Sequence, residues 1–210
     1  MSSRRFAIAL FAAPLVAGAA TVAGPAVAQT DDLSRVTQHL NAAKSMTANF
    51  VQTDRGGKTL SGELTMKRPG KVRFQYQKGV PILLVADGKA LTYIDYSVNQ
   101  VQRWPVGDSP LSVLIDPNAN MARYAKVVPS SDPGVVLVLA KDPKRPQYGA
   151  ITLAFTRAPN APGGLMLSGW VVLDSQNNRT SVRLSDQSYN VAVSDRTFTW
   201  RDPRTTTRGR

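Results

Sequence analysis

The chain has 210 residues, no cysteine, one histidine and a formal net charge of +12. Without cysteine neither disulfides nor thiolate-bound metal sites can form, so the burial of apolar side chains has to stabilise the fold. A single histidine leaves no usual set of nitrogen ligands for zinc. The length suits one domain with a sizeable core.

The amino terminus has the three parts of a secretory signal peptide. Arg4 and Arg5 form a positive region, residues 6–23 are mainly apolar, and Ala26-Val27-Ala28 is a cleavage site of small residues. A membrane-spanning helix needs a longer and more strongly apolar stretch than this one. We therefore predict that residues 1–28 are a removable signal peptide.

Residues 29–210 are expected to form a single exported domain without a lipid anchor, because no cysteine follows the apolar stretch. Cleavage would lower the net charge of +12 by two, since the signal peptide contains two arginines and no acidic residue. The basic residues are scattered, and we interpret them as a solvated surface. The alternative is attraction to an anionic membrane surface or an acidic partner. The sequence contains no nucleic-acid recognition motif.

The first predicted element of this domain is an amphipathic helix. Asp31 and Asp32 can cap its start. Apolar residues with helical spacing then form one stripe that extends to about Met46. The stripe consists of Leu33, Val36, Leu40 and Ala43.

Beyond the helix, apolar and polar residues alternate, which predicts strands with one buried face. Residues 60–67 and 71–77 are the clearest pair, and Pro69-Gly70 is their turn. A short apolar helix at 110–115 interrupts the pattern. Further strands are predicted at 81–86, 91–96, 101–104, 135–140, 150–156, 165–173, 180–187 and 197–200. About ten short strands with hairpin-like connections predict an antiparallel sandwich or barrel.

The sequence contains no catalytic constellation. No Gly-x-Ser-x-Gly motif and no phosphate-binding loop occur, and His39 is the only histidine that could act as a base. We interpret His39 as a surface or half-buried residue of the first helix. We therefore predict that the protein is not an enzyme and needs neither a metal nor another cofactor.

The bulky apolar residues on the strand faces allow two interpretations. They could fill a closed core, or they could line a cavity that the amphipathic helix covers. Periodicity alone does not separate the two.

Several short motifs follow one another in a fixed order along the chain. They are 49–53 (NFVQT), 62–69 (GELTMKRP), 72–76 (VRFQY), 86–91 (ADGKAL), 98–101 (VNQV), 109–111 (SPL) with 114–115 (LI), 174–180 (DSQNNRT) and 198–200 (FTW). This ordered set resembles the LolA family of periplasmic outer-membrane lipoprotein carriers. The resemblance covers nearly all of the exported domain, and the stretch 120–170 diverges most.

The resemblance implies an α+β, mostly β fold: an unclosed antiparallel β-barrel of about ten or eleven strands, covered by helices that act as a lid over an apolar cavity. It implies a monomeric periplasmic carrier whose cargo is triacylated lipoproteins. The carrier would receive them from an inner-membrane ABC transporter of the LolCDE type. It would deliver them to an outer-membrane acceptor of the LolB type, if one is present, with transient contact to a membrane surface.

The resemblance also implies a gate at Arg68, the arginine of the family's Lys-Arg-Pro motif, which ties the lid to the barrel. Alternation places Arg68 on the apolar side with Leu64, unless the strand ends at Lys67 and leaves Arg68 in the turn. An Arg68→Leu variant is expected to take up cargo but to release it poorly. The lid would consist of Leu111, Leu114 and Ile115. The candidate cavity residues are Phe50, Leu64, Met66, Val72, Phe74, Tyr76, Trp104, Trp170 and Val172.

Two other functions stay open at this point. A chain with the same cavity could sense lipid or mislocalised lipoprotein in envelope homeostasis, or it could carry a free lipid such as a phospholipid. A hydrolase is disfavoured because the catalytic triad is missing.

Overall fold

The computed structural model describes residues 26–105, 114, 125–144 and 146–204. In this part of the chain, helix α1 (Ala26–Ala42) precedes eleven strands. The strands are β1 (Ser45–Thr53), β2 (Thr59–Lys67), β3 (Lys71–Tyr76), β4 (Ile82–Asp87), β5 (Ala90–Asp95), β6 (Gln100–Pro105), β7 (Ala125–Val128), β8 (Val135–Ala140), β9 (Ala150–Arg157), β10 (Leu165–Leu173) and β11 (Arg179–Tyr189). Short 3-10 helices lie at Pro146–Tyr148, Pro162–Gly164 and Asp195–Phe198.

All eleven strands form one antiparallel sheet in the order β6-β5-β4-β3-β2-β1-β11-β10-β9-β8-β7. Neighbouring strands are consecutive in the chain except at the centre, where β1 pairs with β11. Strands β6 and β7 are the two edges, so the sheet is unclosed within the described residues. These findings confirm the predicted mostly β, unclosed antiparallel fold of about ten or eleven strands.

One face of the sheet, which we call the inner face, carries the main hydrophobic core. In β3, for example, Val72, Phe74 and Tyr76 are buried on this face, because successive side chains of a strand point to opposite sides. Helix α1 packs on the same face and contributes Val36 and Leu40 to the core. No helix in the described part of the chain is both long enough and apolar enough to cross a membrane.

A second, smaller cluster lies on the outer face of β4 and β5. There Leu83, Val85 and Ile94 pack against Phe198 from the carboxyl-terminal segment. Arg73 holds this segment in place, since its Nη1 donates hydrogen bonds to the carbonyls of Thr197 (3.2 Å) and Thr199 (3.0 Å). The segment 191–200 therefore covers the outer face of β3 to β5.

Helix α1 is shifted toward the amino terminus relative to the prediction. Its described part already starts at Ala26, so Asp31 and Asp32 lie inside the helix and do not cap it. Instead Asp31 accepts a hydrogen bond from Arg35, and Asp32 pairs with Arg157 at 2.8 Å. The prediction of a helix extending to about Met46 was also wrong, because that residue already lies in β1.

The early end of α1 has a tertiary cause. The main-chain N–H of Lys44 donates to the side-chain oxygen of Asn190 (2.8 Å), and the N–H of Asn190 donates to the carbonyl of Ser45 (2.8 Å). The Ser45 hydroxyl donates to the carbonyl of Val191 (2.6 Å). These bonds hold the chain extended beside β11. Strand β1 therefore starts at Ser45, although the apolar residues keep their helical spacing as far as about Met46.

Two strands of the structure were not predicted, and one predicted strand is not formed. Strands β1 and β7 were not predicted from alternation, and β7 has only four residues. In place of the predicted strand at 197–200, Thr197 and Phe198 belong to the 3-10 helix Asp195–Phe198, which the side chain of Ser194 caps by accepting from the Arg196 N–H. Of the predicted helix at 110–115, only Leu114 is among the described residues, and it is helical.

Candidate functional site

The nine residues predicted to line a cavity all lie in or against the core of the inner face. Six of them are buried: Phe50, Leu64, Val72, Phe74, Tyr76 and Trp170. The other three are partly buried and pack against the same cluster: Met66, Trp104 and Val172. The predicted face assignment therefore agrees with their positions, and their role in binding a lipid stays a prediction.

Four aromatic rings form the centre of this group. Phe50 meets Phe74 and Tyr76 edge to face, with ring centroids 5.3 Å and 5.2 Å apart, and Phe74 meets Trp170 at 6.1 Å. The Tyr76 hydroxyl donates a hydrogen bond to Gln52 Oε1 (2.8 Å). Burial raises the pKa of Tyr76 to about 12, so this hydroxyl stays neutral at physiological pH.

Arg68 follows the last residue of β2 and turns its side chain toward the inner face. Its Nη2 donates a hydrogen bond to the main-chain carbonyl of Leu114 (2.9 Å), and its main-chain N–H donates to the carbonyl of Lys44 (2.8 Å). No carboxylate among the described residues lies within salt-bridge distance of it. Burial lowers the pKa of the guanidinium from its usual high value. The strand ends at Lys67, as one alternative predicted, yet Arg68 still contacts the apolar side.

Leu114 is the described member of the predicted lid. Its side chain is 2% exposed and belongs to the core of the inner face. Leu111 and Ile115 lie outside the described residues. The bond from Arg68 thus joins the end of β2 to the segment between the two edge strands, and we call this Arg68–Leu114 contact the latch.

A cavity of about 20 Å³ lies beside the latch, beneath the end of α1. This volume holds about one water molecule and is far smaller than an acyl chain. Its lining includes both members of the latch and residues from α1, β1, β2 and β10: His39, Leu40, Met46, Met66 and Leu167. At this end, therefore, the inner face is closely packed in the state described.

The prediction that His39 is a surface or half-buried residue was wrong, because it is only 2% exposed. Its Nδ1 donates to the carbonyl of Pro162 (2.8 Å), and its ring lies edge to face against Phe155 (5.4 Å) and Tyr189 (5.3 Å). Burial lowers the pKa of His39, and the charge of Arg68 lowers it further. The position of His39 beside the apolar stripe of α1 could not predict its burial, because the loop that covers it, at 158–164, comes from a distant part of the chain.

This loop approaches α1 so closely that one position requires glycine. Gly163 has a φ of +66°, and a Cβ placed there would lie 2.6 Å from the main-chain nitrogen of His39 and 2.9 Å from its Cα. Such separations are shorter than side chains tolerate. Together with the bond from His39 to Pro162, the close approach fixes α1 against the loop.

Comparisons with known proteins identify the family. The sequence signature of the family described as "Outer membrane lipoprotein carrier protein LolA" matches residues 41–201. The chain belongs to the LolA family.

Individual relatives agree with this assignment. An outer-membrane lipoprotein carrier protein of Chromobacterium violaceum is 30% identical over 201 residues, which cover 91% of this chain and 94% of that protein. One of Pseudomonas putida is 25% identical over 206 residues, 93% of this chain and 94% of that protein. The structure of the MucA/MucB complex of Pseudomonas aeruginosa is similar in fold, with a TM-score of 0.50 and 13% identity over 82% of this chain and 62% of that one.

Membership of the LolA family confirms the resemblance that the ordered motifs suggested. It also confirms the prediction that the chain is not an enzyme, because the family consists of carrier proteins. Two features of this LolA-family chain were missed by reasoning from the sequence: the buried His39 and the close approach of Gly163. Both depend on a contact between α1 and a loop more than a hundred residues later.

Proposed function

We propose that this LolA-family chain is a soluble periplasmic chaperone for the acyl chains of lipoproteins. It receives triacylated lipoproteins from an inner-membrane LolCDE-type ABC transporter and delivers them to the outer membrane. An acceptor of the LolB type receives them where one is present. The observation that carries the proposal is the latch, which ties the predicted lid to the barrel over an inner face made of apolar side chains.

The cargo explains why such a face is needed. Each buried methylene group contributes about 0.8 kcal/mol, so a chain of about 16 carbons is held in a membrane by on the order of 12 kcal/mol. A molecule with that preference does not cross an aqueous gap at a useful rate alone. A carrier has to offer a comparable apolar surface, for which we propose the nine residues around Phe50 and Trp170.

The carrier also has to open and close. A hydrogen bond from a charged donor contributes about 1.5–3 kcal/mol, and the latch is such a bond, from Arg68 to Leu114. The burial of a few methylene groups therefore offsets its loss. Since Leu114 itself packs in the core, an entering chain takes its place and displaces the lid. We propose that the packed state described above is the empty carrier, and that the latch favours this state again when cargo leaves.

The first test is the identification of the bound material. The protein is purified without detergent from its native host, and what co-purifies is identified by mass spectrometry. Co-purified lipoprotein supports the proposal, whereas free phospholipid would support the alternative of a free-lipid carrier.

The second test follows transfer. A lipoprotein released from the inner membrane in the presence of the carrier is expected to appear on outer-membrane vesicles. The same experiment without the carrier should leave it in the donor membrane. Equal transfer with and without the carrier contradicts the proposed role.

The proposed location has its own measurement. Residues 1–28 are proposed to be removed on export, so the amino-terminal residue of the periplasmic protein should be Gln29. A protein that keeps its first residues, or that stays in the cytoplasmic fraction, contradicts this proposal.

A further inference from the structure

Two regions of the outer face of the sheet differ. The segment 191–200 covers the region formed by β3 to β5, where it builds the second hydrophobic cluster. On the region formed by β7 to β10, apolar side chains point outward and belong to neither hydrophobic cluster of the described residues. We call this set the outer patch; it consists of Val128, Leu137, Leu139, Ala154, Val171 and Leu173.

The strand register places these residues side by side. Leu137 is paired with Val128 on one side and with Ala154 on the other, and Val171 is linked to Leu139 through Thr152. Leu173 is 37% exposed, and the other members are partly exposed. Strand β8 reads VVLVLA, and such continuous apolar runs are typical of strands covered on both faces. Among the described residues, only its inner face is covered by the core.

The border of the outer patch is basic. Lys126 is paired with Leu139, Arg179 with Leu173, and Arg183 with Gly169 in the row that continues to Ala154. All three cations are exposed. No carboxylate occupies a position in these cross-strand rows. Asp174, which follows Leu173 in the hairpin turn, accepts hydrogen bonds from the main chain of Gln176 and Asn178.

These charges decide between possible occupants. A second copy of the chain, packed face to face, would bring two sets of three cations together with no acid in the paired rows of the patch, which is unfavourable. Protein interfaces are typically centred on buried aromatic anchors, and the patch has no aromatic member. An anionic lipid surface satisfies both features, because the apolar side chains enter the interface and the cations remain at the level of the phosphates.

We propose that the outer patch docks this protein on an anionic lipid surface. The proposal deepens the proposed function, since a carrier has to approach a membrane to exchange cargo, and it assigns that contact to one face. The sheet then meets the membrane with β7 to β11, while the inner face and the latch lie on the opposite side.

The test uses lipid vesicles without any lipoprotein, so it can fail while cargo transfer remains intact. Flotation is measured with vesicles of equal parts phosphatidylglycerol and phosphatidylcholine, and with phosphatidylcholine alone. The protein is expected to float with the anionic vesicles and to lose this binding as salt increases. The R179E/R183E variant should bind at least tenfold more weakly. The variant K78E/K89E changes the charge equally at two exposed lysines away from the patch, and it should bind normally.

The apolar contribution is tested separately. L173S removes an exposed leucine of the patch, and V98S removes an apolar side chain that is 65% exposed in the turn between β5 and β6. Only L173S should weaken binding to anionic vesicles. The proposal is overturned if the unaltered protein does not bind these vesicles, or if both charge variants bind equally weakly. It is also overturned if L173S abolishes self-association measured by sedimentation, because the patch would then be a dimer interface.

Discussion

Arg68 and Leu114 are 46 residues apart in the chain, and a hydrogen bond of 2.9 Å joins the guanidinium of the first to the carbonyl of the second. The bond lies next to a small cavity under the end of α1 and connects strand β2 to the segment that links the edge strands. A charged donor at the rim of an apolar core needs an acceptor, and here a main-chain carbonyl supplies it.

The latch leads to a prediction about release. Arg68→Leu removes the bond that favours the packed empty state, so the loaded state becomes relatively more stable. A charged hydrogen bond contributes about 1.5–3 kcal/mol, which corresponds to roughly tenfold to a hundredfold slower release. The measurement is the rate at which a loaded lipoprotein moves to acceptor membranes, with loading recorded separately.

Arg73→Leu is the matched control for this variant. Arg73 also donates to main-chain carbonyls, those of Thr197 and Thr199, but on the outer face. This control should lose some stability and keep its transfer rate. Normal release by Arg68→Leu would remove the proposed role of the latch.

Phe50 and Val51 are adjacent in β1 and test the inner face. Phe50 is 1% exposed among aromatic rings, whereas Val51 is 45% exposed on the other side of the sheet. Phe50→Ala is expected to lower the free energy of unfolding by about 3–5 kcal/mol, because it leaves a cavity in the core. Val51→Ala should change it by less than about 0.5 kcal/mol. Urea denaturation followed by circular dichroism measures both values, and similar losses would contradict the assignment of faces.

Gly163 and Gly164 provide a second adjacent pair. Both have a positive φ, of +66° and +71°, so alanine is strained by about 1–2 kcal/mol at either position. Only at Gly163 would the new Cβ meet the main chain of His39, while nothing lies within 4 Å at Gly164. We therefore expect Gly163→Ala to lower the melting temperature clearly more than Gly164→Ala. Equal shifts would show that the loop moves away from α1 without cost.

His39 predicts how stability depends on pH. Burial lowers its pKa in the folded protein below the ordinary value of 6.5, so the unfolded chain takes up a proton first as the pH falls. Its contribution to stability is complete above about pH 6.5 and is lost as the pH falls from there toward the pKa of the folded state. The slope cannot exceed about 1.4 kcal/mol per pH unit.

His39→Gln isolates this effect. Glutamine keeps a donor for the carbonyl of Pro162 but does not titrate near neutral pH. Between about pH 7.5 and pH 5.5, where carboxylates remain ionised, the variant should lose less stability than the unaltered protein. Parallel pH profiles of the two proteins, measured by urea denaturation, would contradict a neutral buried His39.

Local patterns determined much of the fold. The alternation in β2 and β3 predicted both strands and their inner faces, because a strand with one buried face repeats every two residues. The same rule brought the nine cavity candidates together in the correct core. The ordered motifs identified the family by resemblance, since no physical pattern in them indicates the family by itself.

Where distant segments compete with local preference, the sequence was insufficient. The stripe that predicted a helix as far as Met46 ends earlier because Asn190 and Val191 hold Lys44 and Ser45 in an extended conformation. Thr197 and Phe198 of the predicted strand at 197–200 lie in a 3-10 helix, because Ser194 caps it and Arg73 donates to the carbonyl of Thr197.

The latch shows most clearly what the sequence determined and what only the tertiary structure decided. The sequence by itself determined that an arginine follows β2 and that its motif belongs to the LolA family. Only the tertiary structure decided that Arg68 reaches Leu114, that His39 is buried, and that an apolar patch remains on the outer face of β7 to β10. Each of these depends on which distant segment packs against a residue, and neither periodicity nor composition contains that information.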